Sequence, residues 1–321
     1  MPHLTGPHVT GPHVTGPNVT GPNVTGPVDL AQLRVAQARV MALETQSTPQ
    51  EYLAAAQSAV ETGDAMLAAL IAASHSARVL KTANAVSDLC LETEVKFARL
   101  YSRPGTRRRR LLVGFTGSAR RMMMPLPIFM QGLPPDADLL ILFDTANGHY
   151  RHGIWDGHTA LAGLARAAAP VTKSYADVIA LGTSAGGFPA VRFAKLAGLR
   201  RGLSFGGRAI DDTLRILRRQ PTASAYDPLC ACDVRAGTEA IFSFSALHPE
   251  DSMSALLANW CANAHLVPLA GRRDHSTLWL IAGMGRLGDL LSLAFTAQPD
   301  ELSSQLFAWN LEDLARTAPP A

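Results

Sequence analysis

Short apolar runs alternate with helical stretches from residue 111 onward. Six runs have the length and composition of buried strands: Leu111–Phe115, Asp138–Phe143, Asp177–Leu181, Gly202–Phe205, Ala240–Ala246 and His265–Leu269. Stretches of helical character lie between or after them, at residues 157–168, 186–198, 208–219, 251–263 and 276–294. The alternation predicts an α/β domain over residues 111–321, with a doubly wound, mostly parallel sheet and helices on both faces.

Residues 28–102 follow a different period. They are rich in Ala, Leu, Gln and Glu, and apolar residues such as Leu53, Val60 and Leu67 recur at helical spacing. Thr48-Pro49 with Glu51 predicts a helix start. We therefore expect a helical region of three or four helices, which would act as a cap or as a docking region for a protein partner.

Residues 103–110 separate the two patterns, and they read Arg-Pro-Gly-Thr followed by four arginines. A phosphate or nucleic-acid contact is one interpretation of the arginine run. However, no aromatic residue is interleaved with it, and an apolar strand follows directly. We favour a solvent-exposed basic linker.

Residues 1–27 form a low-complexity tail of pentapeptide repeats that read Pro-His/Asn-Val/Leu-Thr-Gly. With a Pro and a Gly in each unit and few apolar side chains, the repeat predicts an extended segment outside any core. Metal binding through His3, His8 and His13 is the alternative. Their five-residue spacing in a flexible segment offers poor pre-organisation, which disfavours it.

Composition limits the function classes. The chain of 321 residues is 47% hydrophobic and 17% charged, which excludes global disorder, and its net charge of +3 is below that of a dedicated nucleic-acid binder. Its apolar runs are too short to span a bilayer, and we see no signal peptide. The four cysteines fit neither a disulfide framework nor a metal pair. These features predict a cytoplasmic protein.

One motif carries chemistry. The segment Gly182–Gly186 reads Gly-Thr-Ser-Ala-Gly, which matches G-x-S-x-G, the nucleophile elbow in which a strand turns sharply into a helix with the serine at the apex. The pattern occurs again at Gly202–Gly206, around Ser204. Because Ser184 follows a strand and precedes a helix, whereas Ser204 lies inside a strand, we predict that Ser184 is the nucleophile.

A serine nucleophile needs a base, and the base needs an orienting acid, in the chain order serine, acid, histidine for this kind of elbow. His248 and His265 are alternatives for the base, but His275 follows the last strand and precedes the final helical stretch, as expected. For the acid we favour Asp251 over Glu250 and Asp274. Asp251 follows the penultimate strand at a predicted helix start, whereas Asp274 is better placed as a helix cap.

These residues make the chain resemble the α/β-hydrolase superfamily over residues 111–295. A looser resemblance, to hydrolase-like proteins of bacterial surface-polysaccharide systems, rests on Phe143-Asp144 with Asn147, Tyr150 and Gly153, and on the segment from Asp274 to Leu291. The superfamily resemblance implies an oxyanion hole of two backbone N–H groups. One would belong to Ala185, and the other to the loop after the first of the six strands, at Thr116.

The loops around this site suggest the surroundings of a substrate. Met122-Met123-Met124 would form an adaptable apolar wall. Four polar residues would lie at the same end of the sheet, where they could bind polar groups such as sugar hydroxyls: Asp144, Asn147, His149 and Tyr150.

The sequence thus predicts a serine hydrolase that cleaves a carboxylic ester of a small molecule or glycan through an acyl-enzyme. Two alternatives stay open: an acyltransferase with the same triad, and a non-catalytic accessory or scaffold protein with a hydrolase fold. We expect no cofactor, because the Walker and dinucleotide patterns are incomplete, and no metal, because no zinc spacing is present.

Overall fold

A computed structural model describes residues 29–105, 109–145, 150, 160–209, 237–258 and 264–317. The tail at 1–27 and the predicted helix at 208–219, except its first two residues, lie outside the described residues. The remaining elements form one eight-stranded sheet with helices packed against it.

The sheet contains all six predicted strands and two others. Its strands are β1 (Cys90–Val95), β2 (Ala98–Ser102), β3 (Arg110–Phe115), β4 (Ala137–Leu142), β5 (Asp177–Thr183), β6 (Arg201–Phe205), β7 (Glu239–Ser245) and β8 (Ala264–Leu269). Their order is β1-β2-β4-β3-β5-β6-β7-β8, in which β3 to β8 pair in parallel while β1 and β2 are antiparallel. The prediction of a doubly wound, mostly parallel sheet of the α/β-hydrolase type is confirmed.

The helices flank this sheet. The N-terminal ones are α1 (Leu30–Gln46), α2 (Pro49–Glu61), α3 (Ala65–Ala73) and α4 (His75–Thr82), and those that follow are α5 (Leu126–Gln131), α6 (Ala160–Thr172), α7 (Gly187–Ala197), α8 (Pro249–Ala258), α9 (Thr277–Gly283), α10 (Leu287–Thr296) and α11 (Pro299–Thr317). Thr48 and Glu51 form a capping box at the start of α2, as the sequence predicts.

Strand residues alternate between two cores, one on each face of the sheet. Leu112 of β3 packs with α5, α10 and α11 on one face, whereas its neighbours Leu111 and Val113 pack with α6 and α7 on the other. Because side chains point alternately to opposite faces of a strand, a continuous apolar run serves both cores. Burial on both faces explains why the central strands are visible in the sequence.

The helical region is shorter than predicted. Helices end at Thr82, and residues 90–102, which the sequence analysis placed in that region, form β1 and β2 of the sheet. All six residues of β1 are exposed, so this edge strand has no buried face and no apolar signature. The α/β unit therefore begins before residue 103.

The described ends of the predicted linker at 103–110 are also integrated in the fold. The Arg103 side chain is 6% exposed, forms an ion pair with Asp88 at 2.8 Å and donates to the Ala137 carbonyl oxygen at 2.5 Å. Arg110 opens β3. The stretch at 276–294 differs as well, since it forms two helices that are separated where Gly285 adopts a φ of 73°.

The N-terminal helices pack close to the loop that follows β3. Arg121 of that loop forms an ion pair with Glu44 of α1 at 3.6 Å and donates from Nε to Thr45 at 3.2 Å. Tyr101 of β2 donates to the carbonyl oxygen of Gln46 at 3.4 Å. The helical region is thus docked onto the α/β unit.

Among the helices of the described residues, none is by itself both long and apolar enough for a membrane span. The consecutive helices α9 and α10 meet that standard by length and composition when they are taken together, and they are bent by 116°.

Candidate active site

Ser184 lies at a sharp turn between β5 and α7. The strand ends at Thr183, residues Ser184–Gly186 form a single 3₁₀ turn, and α7 begins at Gly187. Ser184 has a φ of 52°, a left-handed conformation that is costly for a residue other than glycine. The predicted strand-turn-helix geometry is therefore present, with the serine at its apex.

The two glycines of the motif are required by close backbone contacts. A Cβ added to Gly182 would lie 2.0 Å from the carbonyl oxygen of Gly186, and one added to Gly186 would lie 2.4 Å from that of Phe115. Neither position has room for a larger residue. The turn holds its shape because the backbones of β3, β5 and the start of α7 pass this closely.

Three side chains from separate segments form one hydrogen-bonded chain. The Ser184 Oγ lies 2.7 Å from His275 Nε2, and His275 Nδ1 lies 2.7 Å from Asp251 Oδ1. His275 lies between β8 and α9, and Asp251 lies in the first turn of α8 after β7. All three residues therefore lie beyond the carboxyl ends of parallel strands, which share one edge of the sheet.

This chain determines how the imidazole can act. The Asp251 side chain is fully buried and, as a carboxylate, accepts a hydrogen bond from the Nδ1–H group of His275. The unprotonated Nε2 of neutral His275 then faces the Ser184 hydroxyl, which donates to it. The arrangement can move a proton from Ser184 to His275.

The competing candidates of the sequence analysis have other surroundings. Glu250 pairs with Arg208 at 3.2 Å, and His265 in β8 pairs with Asp300 at 3.3 Å. The backbone carbonyl of Asp274 accepts a hydrogen bond from the Ser245 hydroxyl. Ser204 lies inside β6, is 1% exposed, and its buried Oγ has no hydrogen-bond partner within the described part of the chain.

His248 joins the site in a way that the sequence analysis did not foresee. Its Nδ1 lies 3.0 Å from the same Asp251 oxygen that contacts His275, and the two imidazole centroids are 5.4 Å apart. The available signal was the three-residue spacing from His248 to Asp251 at a helix start, which places both on one side of the first turn.

The predicted oxyanion residues differ in their surroundings. Ala185 is the second residue of the 3₁₀ turn, where backbone N–H groups lack intrahelical partners. The N–H of Thr116, by contrast, donates to the Leu142 carbonyl oxygen at 3.3 Å. This corrects the choice of Thr116, whose N–H is engaged because β4 extends alongside it. The adjacent Gly117 lies against the serine, since a Cβ there would be 3.2 Å from Ser184 Cβ.

Two polar residues after β4, Asp144 and Tyr150, form hydrogen bonds that stabilise the loop that follows this strand. The buried Tyr150 hydroxyl donates to the Leu142 carbonyl oxygen at 2.9 Å, and the Tyr150 N–H donates to Asp144 at 3.1 Å. Burial raises the pKa of Tyr150 well above its ordinary value. Tyr150 and Asp144 are therefore structural here, contrary to the expectation of sugar contacts, while Asn147 and His149 lie outside the described residues.

The methionine segment divides between core and site. Met122 and Met124 are buried in the core under the sheet, whereas Met123 is partly buried. A Cβ added to Gly206 would lie 2.9 Å from Met123 Cε and 3.3 Å from His275 Cε1. Met123 Cε and His275 Cε1 therefore both border Gly206.

Comparison with known proteins gives remote likenesses in fold. No protein-family model and no curated protein matches the chain. The chain is similar to the structure of the 2,6-dihydroxy-pseudo-oxynicotine hydrolase, with 14% identity, a TM-score of 0.46 and coverage of 84% of this chain and 94% of that one. The chain is also similar to the structure of EstE1, a thermostable carboxylesterase from a metagenomic library, with 12% identity, a TM-score of 0.41 and coverage of 72% of this chain and 92% of that one.

A further solved structure, Est1E from Butyrivibrio proteoclasticus, has 12% identity, a TM-score of 0.41 and coverage of 71% of this chain and all (100%) of that one. Likenesses at this level concern the fold alone. The α/β-hydrolase fold of this chain follows from its own strand order and from the position of the strand-to-helix turn in that order.

Proposed function

We propose that this chain is a serine hydrolase that cleaves carboxylic esters through an acyl-enzyme. The observation that carries the proposal is the hydrogen-bonded chain from Ser184 through His275 to the buried Asp251, with both distances at 2.7 Å. Nucleophile, base and orienting acid are the three groups that acyl transfer requires.

In the first half-reaction, Ser184 Oγ attacks the ester carbonyl carbon while its proton passes to His275 Nε2. Asp251 stabilises the imidazolium that forms and keeps its orientation. The tetrahedral intermediate collapses, the carbon–oxygen bond to the alcohol breaks, and the leaving oxygen takes the proton from His275. Water then attacks the acyl-enzyme in the same way, which releases the acid and restores the Ser184 hydroxyl.

The negative charge of the intermediate needs backbone donors. Ala185 supplies one N–H from the start of the turn. In the loop after β3, the N–H groups of Thr116 and Gly117 already donate to Leu142 and Arg121, at 3.3 and 2.9 Å. We therefore assign the second donor to Ser118, the next residue, whose N–H has no hydrogen bond among the described residues. Such donors contribute roughly 100- to 1000-fold each to turnover.

The backbone at Ser184 supports an active enzyme over a non-catalytic scaffold. A left-handed conformation at a non-glycine residue costs about 1–3 kcal/mol, and such strain concentrates at functional sites. A scaffold protein would have no use for a strained serine 2.7 Å from a histidine base. The transferase alternative shares the acyl-enzyme, and its product distinguishes it from a hydrolase.

The test is the hydrolysis of 4-nitrophenyl acetate, butyrate and octanoate by the wild type, Ser184→Ala and the matched control Ser204→Ala. We expect ester hydrolysis with release of free acid, a loss of about 10⁶-fold in Ser184→Ala, and turnover close to wild type in Ser204→Ala. Hydrolysis that persists in Ser184→Ala, or an absence of activity on every ester, would contradict the proposal.

A further inference from the structure

One buried carboxylate is contacted by two histidines. Asp251 Oδ1 lies 2.7 Å from His275 Nδ1 and 3.0 Å from His248 Nδ1. The proposed reaction uses the first contact and gives no role to the second. His248 Nδ1 also accepts a hydrogen bond from the backbone N–H of Asp251 at 3.3 Å, in the first turn of α8, but the mechanism gives this imidazole no chemical role.

The same carboxylate has unused bonding capacity. Asp251 is fully buried, and its second oxygen, Oδ2, has no hydrogen-bond partner among the residues that the structure describes. A buried carboxylate oxygen without a partner loses the solvation that it has in water, so a cation bound there would be favoured. The neighbouring imidazoles are 21% and 22% exposed, which gives solvent access to their side of the group.

The three donor groups match a metal site in type and spacing. One ring nitrogen from each of His248 and His275 and a carboxylate oxygen of Asp251 all lie within 4.8 Å of one another. Tetrahedral zinc, with bonds of about 2.0–2.1 Å to such ligands, holds its donors about 3.3 Å apart. The donors reach that spacing by small shifts, and Oδ2 or a water would complete four-coordination.

We propose that His248, Asp251 and His275 form a zinc-binding site that switches the enzyme off. Two imidazoles and one carboxylate are a donor set that zinc accepts, and the loops after β7 and β8 and the first turn of α8 carry them.

The inhibitory effect follows from the tautomer of His275 and rests on the proposed hydrolase function. A neutral imidazole that binds zinc through Nδ1 carries its proton on Nε2. In that form Nε2 donates a hydrogen bond and cannot accept the proton of Ser184. Zinc therefore occupies the position of the Nδ1 proton and leaves the base in the wrong tautomer, and no proton is gained or lost by His275 in the exchange.

Zinc binding can be tested without catalysis. The background is the full chain with Ser184→Ala, together with His3→Asn, His8→Asn and His13→Asn. Asn already occupies the matching position of the repeat at Asn18 and Asn23, so these changes remove other zinc ligands conservatively. Zinc chloride is titrated in competition with a chromophoric chelator.

We expect one zinc per chain in this background. His248→Phe should weaken binding at least tenfold, since even an outer partner of a metal ligand contributes about 10- to 100-fold. His248→Gln, which keeps a side-chain acceptor for the Asp251 N–H, should weaken it similarly. His265→Phe is the matched control and should bind zinc as the background does. Melting temperatures identify any variant that fails to fold. If His248→Phe does not fold, the zinc affinity of His248→Gln decides the test.

The same zinc concentration should block labelling of the wild type by a fluorophosphonate, and a chelator should restore labelling. Zinc affinity that is equal in the background and in both His248 variants would overturn the proposed site. Zinc binding that depends on His248, in a chain that never labels, would instead retain the site and refute the hydrolase function, so the two failures are distinguishable.

Discussion

The chain contains two copies of one pentapeptide pattern, and they differ in every property that matters for catalysis. Ser184 lies at the apex of a strand-to-helix turn, with a φ of 52° and its Oγ 2.7 Å from His275. Ser204 lies within β6, where it is 1% exposed and its Oγ has no hydrogen-bond partner among the described residues. The same pattern forms a candidate active site where the strand ends, at Ser184. Where the strand continues, at Ser204, it contributes to packing.

The glycines show the same contrast. In the first copy, Gly182 and Gly186 allow neighbouring backbone segments to approach closely at the turn. In the second copy, a Cβ on Gly202 would lie 2.8 Å from the Cα of Val191 in α7. The first set shapes a functional turn. In the second, Gly202 brings a helix close to the sheet, whereas Gly206, with a φ of 54°, lies against the carbonyl oxygen of His275. The experiments below test this distinction in order of decreasing effect.

The largest effect is expected from loss of the base. His275→Ala should lower turnover about 10⁶-fold, because a serine without its base is scarcely more reactive than water. His265→Ala is the matched control. Because His265 belongs to β8 and pairs with Asp300, the turnover of this variant should stay near that of the wild type. Steady-state ester hydrolysis measures the turnover of both variants. Equal losses of turnover would contradict the assignment of His275, and not His265, as the base.

Loss of the acid comes next. Asp251→Asn preserves the shape and removes the charge that holds the Nδ1 proton of His275, so turnover should fall about 10⁴-fold. Glu250→Gln, one residue away, breaks the ion pair with Arg208 and should retain most of the activity. Near-normal turnover in Asp251→Asn, with collapse in Glu250→Gln or Asp274→Asn, would relocate the acid.

The two sets of glycines should differ in stability. Gly182→Ala puts a Cβ 2.0 Å from a carbonyl oxygen of the turn and should cost about 3 kcal/mol or more in the free energy of unfolding, with loss of activity. Gly202→Ala meets atoms at 2.8 and 3.0 Å and should cost about 1–3 kcal/mol with activity retained in the folded protein. Urea unfolding and ester hydrolysis report the two quantities, and a reversed order would contradict the account.

The smallest effect should come from Ser204→Ala. The hydroxyl is buried without a partner, so its removal relieves an unsatisfied polar group and leaves a gap of one atom. We expect the free energy of unfolding to change by less than about 1 kcal/mol. A large loss of stability in urea unfolding would show that this hydroxyl has a structural role.

The sequence predicted the central strands and the three residues of the hydrogen-bonded chain because each leaves a local signal. The strands at 139–142 and 178–183 are apolar on both faces, and Ser184 follows the second of them. Asp251 and His275 follow β7 and β8, which are less completely buried but still have apolar runs. The exposed edge strand β1 has no apolar period, so it was missed.

The remaining errors come from long-range contacts. Thr116 was chosen as an oxyanion donor by its position in the chain, but its N–H is taken by Leu142, 26 residues away. The cluster of His248, Asp251 and His275 joins two loops and has no sequence spacing typical of zinc. Neither feature can be derived before the strand order is known.

The central claim is that Ser184, and not Ser204, is the activated nucleophile. The most direct measurement is fluorophosphonate labelling of the wild type, Ser184→Ala and Ser204→Ala, followed by peptide mass spectrometry of the adduct. The account predicts a single adduct on Ser184 in the wild type and in Ser204→Ala, and none in Ser184→Ala. An adduct on Ser204, or labelling that survives Ser184→Ala, would contradict it.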